Sequence, residues 1–130
     1  MGLSSYDMFS GCTNLTSVTL PENLKELYDG TFENCIKLTT INIPASVTKV
    51  GSHVFSGSGV VSLDLSHVTE IGVFTFDDCK SLKNLKLNSK LKDNFLMEIY
   101  PELMTCPYME VKWVNNQYVY PAGLEFVDPK

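Results

Sequence analysis

The sequence lacks arginine, long apolar runs and every common catalytic string. All ten basic residues are lysine, and fifteen acids give a net charge of −5. Because the chain is acidic and has no guanidinium to bind phosphate, we do not expect a nucleic-acid partner. It has no run of about 18 apolar residues, so no membrane insertion is predicted. G-x-S-x-G, H-E-x-x-H and phosphate-loop strings are also absent, so we predict no catalytic residue, cofactor or metal.

What the sequence has instead is an internal repeat. Phe9, Phe32 and Phe76 are each followed by Cys three residues later and by an apolar residue six residues later, and Phe55 begins a degenerate copy. These phenylalanines are separated by 23, 23 and 21 residues. Units of this length that recur in register are typical of solenoids, in which stacked copies share one core.

The second half of each unit has the apolar pattern L-x-x-L-x-L. A period of two predicts a short strand with one buried face. Pro21 and Pro44 follow the first two of these segments and are expected to end them, because proline donates no ladder hydrogen bond. The matching apolar positions are Leu15, Val18 and Leu20; Leu38, Ile41 and Ile43; Val60, Leu63 and Leu65; and Leu82, Leu85 and Leu87.

These patterns predict an α/β-type repeat solenoid, with mostly short parallel β-strands on one face and irregular or 3-10 returns on the other. We expect about four repeats, beginning mid-array, over residues 1–105. A degenerate last repeat and a C-terminal cap are expected over residues 106–130. After Leu91 the repeat pattern fits poorly, and Met104–Tyr108 and Val111–Trp113 are interpreted as a worn fifth unit. The tail aromatics Tyr118, Tyr120 and Phe126 are expected to cover the end of the core.

The repeated residues resemble the BspA-like leucine-rich repeats. The pattern F-x-x-C-x-x-L-x-x-I-x-I-P, followed by V-x-x-I-G, is fullest from Phe32 to Gly51, and the resemblance covers about Phe9 to Leu91. Ser58 replaces the Cys of the third unit, and the fourth unit lacks the Pro and the V-x-x-I-G. The resemblance implies a curved, right-handed solenoid in a cell-surface or secreted protein. It also implies adhesion, since some members bind host matrix proteins such as fibronectin and fibrinogen.

The repeated cysteines are expected to pack rather than react. Cys12, Cys35 and Cys79 share one repeat position, which predicts a ladder of buried, reduced thiols. No C-x-x-C pair occurs, so a zinc site is not expected. His53 and His67 fall in different loops, and a Cys–His nucleophile is not expected because buried cysteines are usually inert.

The outward positions of the four predicted strands are the most plausible contact surface, because solenoids present ligands with such extended faces. This face lacks the Trp, Tyr and Arg anchors of tight interfaces, so weak or avidity-driven contacts with a protein ligand are expected. A plain solvated face is the alternative. We call these residues the predicted binding face: Ser17, Thr19, Thr40, Asn42, Ser62, Asp64, Asn84 and Lys86.

Two further surfaces bear on possible partners. Lysines gather in the fourth unit, where they form either a basic patch for an acidic partner or an ordinary solvated face. The first unit presents an open edge near Leu15–Leu20, which is expected to self-associate. The sequence thus predicts a protein-interaction or adhesion module rather than an enzyme, with a structural spacer as the alternative. The lysines are Lys80, Lys83, Lys86, Lys90 and Lys92.

Overall fold

The computed structural model describes residues 8–129, so the first seven residues of the predicted solenoid lie outside the described residues. Within that range, eight short strands and three short helical segments are formed. The helical segments are a 3-10 helix (Ser89–Leu91), a π-helix (Phe95–Ile99) and α1 (Tyr100–Leu103). The strands are β1 (Glu26–Leu27), β2 (Lys49–Val50), β3 (Ser62–Leu65), β4 (Glu70–Ile71), β5 (Asn84–Asn88), β6 (Lys112–Val114), β7 (Gln117–Val119) and β8 (Leu124–Val127).

The main sheet stacks successive units in parallel, as the repeat predicts. Its strand order is β3-β5-β8. Leu63 lies opposite Leu85, which in turn lies opposite Leu124. All three side chains are buried, whereas Asp64 and Lys86 between the apolar positions are exposed. The alternation of inward and outward residues is therefore confirmed for the third and fourth units.

The prediction of strands in the first two units is wrong. Residues 17–20 and 40–43 belong to the described part of the chain, but they form no strand. Pro21 and Pro44 follow these segments directly, whereas Ser66 and Asn88 occupy the matching positions of the third and fourth units. Proline removes a backbone donor at the end of the ladder, which accounts for the difference.

The returns contain a second parallel sheet that the sequence did not predict. Its order is β1-β2-β4, with Leu27 opposite Val50 and Val50 opposite Ile71. Each strand is only two residues long. Leu27 and Val50 are buried, so these strands close the core on the side away from the main sheet.

A ladder of backbone bonds joins the turns around each repeated phenylalanine. Phe9 N–H donates to Thr31 C=O at 2.9 Å, and Phe32 N–H donates to Val54 C=O at the same distance. The rings follow the same spacing. Ring centroids of Phe9 and Phe32 are 5.7 Å apart, and those of Phe32 and Phe55 are 5.9 Å apart. Stacked aromatic side chains thus form the spine of the core.

The ladder ends on side-chain oxygens instead of a further repeat. Phe76 N–H donates to Glu102 Oε1 at 2.8 Å, and Phe74 N–H donates to Oε2 of the same carboxylate at 2.7 Å. Asp78 N–H donates to Thr105 Oγ1 at 2.7 Å. In the earlier units these positions donate to backbone carbonyls of the next unit. Glu102 and Thr105 therefore cap the solenoid by supplying the missing acceptors.

The fifth unit is only partly as the sequence suggests. Cys106 donates its thiol to Phe76 C=O at 3.1 Å, as Cys79 does to Phe55 C=O one unit earlier. However, Val111–Trp113 does not form the solenoid strand, and that interpretation is wrong. The strand is β8, and a hairpin of β6 and β7 is inserted before it. The hairpin's own pairing holds its residues out of the main sheet.

The tail aromatics divide into two groups. The rings of Tyr120 and Phe126 contact Phe95 edge-on, with centroids 5.8 and 5.3 Å away. They cover the end of the core, as predicted. Tyr118 does not, because it lies on β7 with about half of its surface exposed. The prediction is wrong there since the hairpin points away from the solenoid.

Candidate binding groove

A groove of about 680 Å³ runs across the face that carries the main sheet. Its rim contains seven of the eight residues of the predicted binding face, and Thr19 is the one that does not line it. Each of the first four units contributes residues to this rim, because the stack repeats the same outward positions. The seven residues are Ser17, Thr40, Asn42, Ser62, Asp64, Asn84 and Lys86.

The floor of the groove is apolar, which the sequence reasoning missed. Val18, Ile41 and Leu63 line it together with the polar rim. Leu63 on β3 is buried, but Val18 and Ile41 are only half-buried. These two belong to the segments that form no strand, so inward-pointing side chains become accessible there. The sequence signal for this exposure was Pro21 and Pro44, which directly follow the two segments that form no strand.

The charged part of the rim lies at one end of the groove. Asp64 on β3 is the register partner of Lys86 on β5. Burial raises the pKa of Asp64, but hydrogen bonds from Ser66 and the positive charge of Lys86 outweigh it and hold the pKa below its ordinary value. The bond from Ser66 N–H to Asp64 Oδ1 is 3.0 Å long. Asp64 is therefore an anion at neutral pH, and Lys86 lies beside it on the neighbouring strand.

Other rim groups bond to each other across the units. Asn84 Nδ2 donates to Ser62 Oγ at 3.2 Å. Such pairing holds the side chains in place without using all of their donors and acceptors. The groove thus offers an apolar strip edged by hydroxyl and amide groups, with one acidic and one basic side chain on neighbouring strands at its end. This arrangement suits contact with an extended polypeptide segment, and it brings together no nucleophile and base.

The cysteines form the expected ladder inside the stack. Cys35 donates to Phe9 C=O at 3.1 Å, the same distance as for Cys79 and Cys106, which lie two and three units further along. All three are buried free thiols, but Cys12 is half-exposed, so the prediction is wrong for the first unit. A hydrogen bond with Cys106 and burial both raise the pKa of Cys79. A protonated buried thiol is a poor nucleophile.

The histidines and lysines are dispersed. His53 stacks on Phe74 with centroids 5.4 Å apart, and His67 is exposed in a separate turn. Lys80 pairs with Asp78 at 2.9 Å, Lys83 lies 4.8 Å from the ring centroid of Tyr108, and Lys92 lies 5.7 Å from that of Phe126. These three lysines therefore contact different local partners. In residues 8–129, no group of three or more His, Cys, Asp or Glu side chains is arranged to hold a metal ion.

The family assignment follows from comparison with known sequences. A family model described as "BspA type Leucine rich repeat region (6 copies)" matches residues 5–96. The chain belongs to this family. The resemblance predicted from the repeated Phe, Cys and Leu positions is therefore confirmed. No curated protein gives a significant match to this BspA-type chain.

Two solved structures are similar to this BspA-type chain. A leucine rich cell surface protein from Faecalibacterium prausnitzii A2-165 gives a TM-score of 0.60 at 24% identity, covering 86% of this chain and 25% of that one. A leucine-rich repeat protein from Bacteroides ovatus ATCC 8483 gives 0.49 at 30% identity, covering 62% and 27%. The first likeness supports the solenoid fold. The chain spans about a quarter of the length of both structures. Across residues 8–129, no helix has the length and apolar character needed to cross a membrane.

Proposed function

We propose that this BspA-type chain is a protein-interaction module whose groove holds an extended segment of a protein ligand. The observation that carries the proposal is the combination of an accessible apolar floor with a polar rim on the stacked face. Burying an aliphatic side chain contributes about 25 cal/mol per Å² of apolar surface. Val18 and Ile41 therefore supply binding energy, while the rim amides and hydroxyls fix the orientation of the segment.

The expected affinity of a single groove is low. The rim has neither Trp, Tyr nor Arg, the residues that dominate tight interfaces. Tight attachment would come from several contacts acting together, as in a longer array of repeats. A family of repeat proteins that builds one surface from many similar units suits this mode of binding.

We place this module in a cell-surface or secreted protein, with adhesion as its role. The Faecalibacterium structure that shares the fold is described as a cell surface protein, which supports this location. Host matrix proteins such as fibronectin and fibrinogen are the first ligands to test, on the family resemblance. Proteins with this repeat generally act as binding or scaffolding modules, so no catalytic activity is proposed.

A structural spacer is the second candidate, and one observation favours it. The rim groups of Ser62 and Asn84 already bond to each other, and Asp64 already accepts a bond from Ser66. A face whose polar groups satisfy one another needs no ligand. The two functions differ in their response to mutation, because a spacer has no residue on this face whose loss changes a binding curve.

The first unit is a proposed site of self-association. Phe9, Cys12 and Leu15 pack against the core, but they are only partly buried, unlike their equivalents in the second unit at Phe32, Cys35 and Leu38. Another copy pairing along this edge would cover them.

The experiment for the groove is binding of the purified chain to immobilised fibronectin and fibrinogen across a salt series. A variant with Asn42, Asp64 and Lys86 changed to Ala is expected to lose saturable binding. The matched control changes Asn23, Asp93 and Lys25 to Ala, which removes the same three side-chain types from exposed positions away from the groove. Equal binding by both variants would contradict the groove. Absence of binding by every form would favour the spacer.

A further inference from the structure

The inserted hairpin is the feature that neither the repeat nor the groove explains. It leaves the solenoid after Val111 and returns at Pro121. Strand β6 pairs antiparallel with β7, and the turn residues Asn115 and Asn116 both have positive φ, 52° and 64°. This is the two-residue turn that suits the twist of a hairpin. The hairpin is therefore well specified, although no repeat position requires it.

All six strand residues of the hairpin are exposed. Trp113 lies opposite Tyr118, with ring centroids 4.7 Å apart. The Trp and Tyr side chains remain 60% and 51% exposed. Among the described strands, β6 and β7 pair only with each other. Two-stranded sheets are marginally stable alone, and a third strand or a covered face stabilises them.

The two edges of the hairpin differ in charge. Strand β7 (Gln117, Tyr118, Val119) carries no charged residue and no proline, whereas β6 carries Lys112. Exposed edges of natural sheets are usually protected by a charge, above all lysine. The β7 edge therefore lacks the protection that the β6 edge has.

The backbone of β7 also presents a free pairing site. In a two-residue hairpin the pair that flanks the turn, here Val114 and Gln117, is hydrogen-bonded, and the bonding alternates along the strands. Tyr118 is in the next pair, so its N–H and C=O point away from β6. They are available to another strand at the middle of the unprotected edge.

We propose that β7 pairs antiparallel with β7 of a second copy, forming a four-stranded sheet β6-β7-β7-β6 about a two-fold axis at Tyr118. The edge is self-complementary, as such an axis requires, because Gln117 of one copy lies opposite Val119 of the other and Tyr118 faces its equivalent. No like charges meet at the axis. Lys112 on the outer strands opposes further addition, so the assembly closes as a dimer.

The size of the contact predicts a weak dimer. A fully covered Trp or Tyr side chain buries about 200 Å². With roughly half of each ring exposed, the two Tyr118 rings that meet at the axis cover on the order of 200 Å² together. A standard interface buries about 1,600 Å² in total. The dissociation constant of the dimer is therefore expected to be about 100 µM. Even such a weak dimer joins two grooves, so ligand binding would be strengthened by avidity.

The test is analytical ultracentrifugation from about 10 µM to 1 mM, a range that spans the expected dissociation constant. The unaltered chain should move from 14.5 kDa towards twice that mass with rising concentration. Trp113 is the only tryptophan, so its fluorescence should shift over the same range. To separate this contact from association at the first unit, the β7 variants also carry Val18→Glu. In that background Tyr118→Lys and Gln117→Lys should be monomeric with an unchanged circular dichroism spectrum, whereas Val18→Glu alone should still dimerise. The control Ile36→Lys, at an exposed apolar site on the second unit, should dimerise normally.

Two results would overturn the proposal. One is a monomer at every concentration, with no change in Trp113 fluorescence. The other is a dimer that persists in both β7 variants in the Val18→Glu background, which would locate the contact away from β7. Neither result depends on groove binding, so the dimer and the proposed function are tested separately.

Discussion

Replacing Glu102 with Ala should destabilise the chain more than any other single change to an acid. The carboxylate accepts the N–H groups of Phe76 and Phe74 at 2.8 and 2.7 Å and is itself 7% exposed. Phe76 is fully buried, so water cannot replace its lost acceptor, whereas Phe74 is half-exposed and water can. Leaving one buried donor unsatisfied costs about 1–3 kcal/mol, and the loss of the second bond places the effect at the upper end. At about pH 5, below the raised pKa of Glu102, we expect a loss of about 3 kcal/mol in the free energy of unfolding.

Urea unfolding followed by circular dichroism measures this loss directly. The matched control is Glu98→Ala, which removes an exposed carboxylate from the neighbouring π-helix and should change stability by less than about 0.5 kcal/mol. Glu102→Gln keeps one acceptor oxygen and should fall between the two. Equal midpoints for Glu102→Ala and Glu98→Ala would refute the idea that a side chain terminates the backbone ladder.

Three further predictions concern stability. Burial raises the pKa of Glu102 from 4.5 to about 7. The Glu102 carboxyl group therefore stabilises the fold fully below pH 4.5, and about 3 kcal/mol of this stabilisation is lost as the pH rises through 7. The difference in unfolding free energy between the unaltered chain and Glu102→Gln should shrink over that range, and a difference that grows would contradict the prediction. Ser58 occupies the position that Cys has in the other units, and its buried Oγ has no hydrogen-bond partner among the described residues. Ser58→Cys should raise the free energy of unfolding by about 1 kcal/mol, measured with urea, and a lower free energy of unfolding would count against the cysteine ladder. Phe74 has φ 59° at the repeat position that Gly30 occupies in an earlier unit. Phe74→Asn should raise stability by about 1 kcal/mol, seen as a higher melting temperature. A lower melting temperature would show that the stack on His53 outweighs the strain.

The repeat alone was enough to predict the solenoid and its register. A period of two in Leu63, Leu65, Leu85 and Leu87 defines which face is buried, and a slip by one residue would reverse it. The sequence was less informative where backbone bonding decides the structure. Pro21 and Pro44 were expected to end strands, but the segments directly before them form none. Residue propensity and spacing do not show whether neighbouring strands still form a hydrogen-bond ladder when proline removes one backbone N–H donor.

The candidate site was predicted in part for the same reason. Outward positions follow from alternation, so the polar rim was accessible to sequence reasoning. The apolar floor at Val18 and Ile41 was not, because its exposure depends on the missing ladder. The hairpin was not predicted either. Asn115-Asn116 between Val114 and Gln117 is a recognisable turn signal, but Val111–Trp113 also fits a worn repeat, and the repeat pattern obscures the turn.

The measurement that tests the central claim most directly is a ligand titration followed by NMR on a chain labelled at its methyl groups and amides. The account predicts that, on addition of a fibronectin or fibrinogen fragment, the methyl signals of Val18, Ile41 and Leu63 shift together with the rim amides, while those of Leu27 and Val50 in the return sheet stay in place. Shifts centred on the return sheet or on the fourth-unit lysines, with the floor methyls unchanged, would show that the groove is not the binding site.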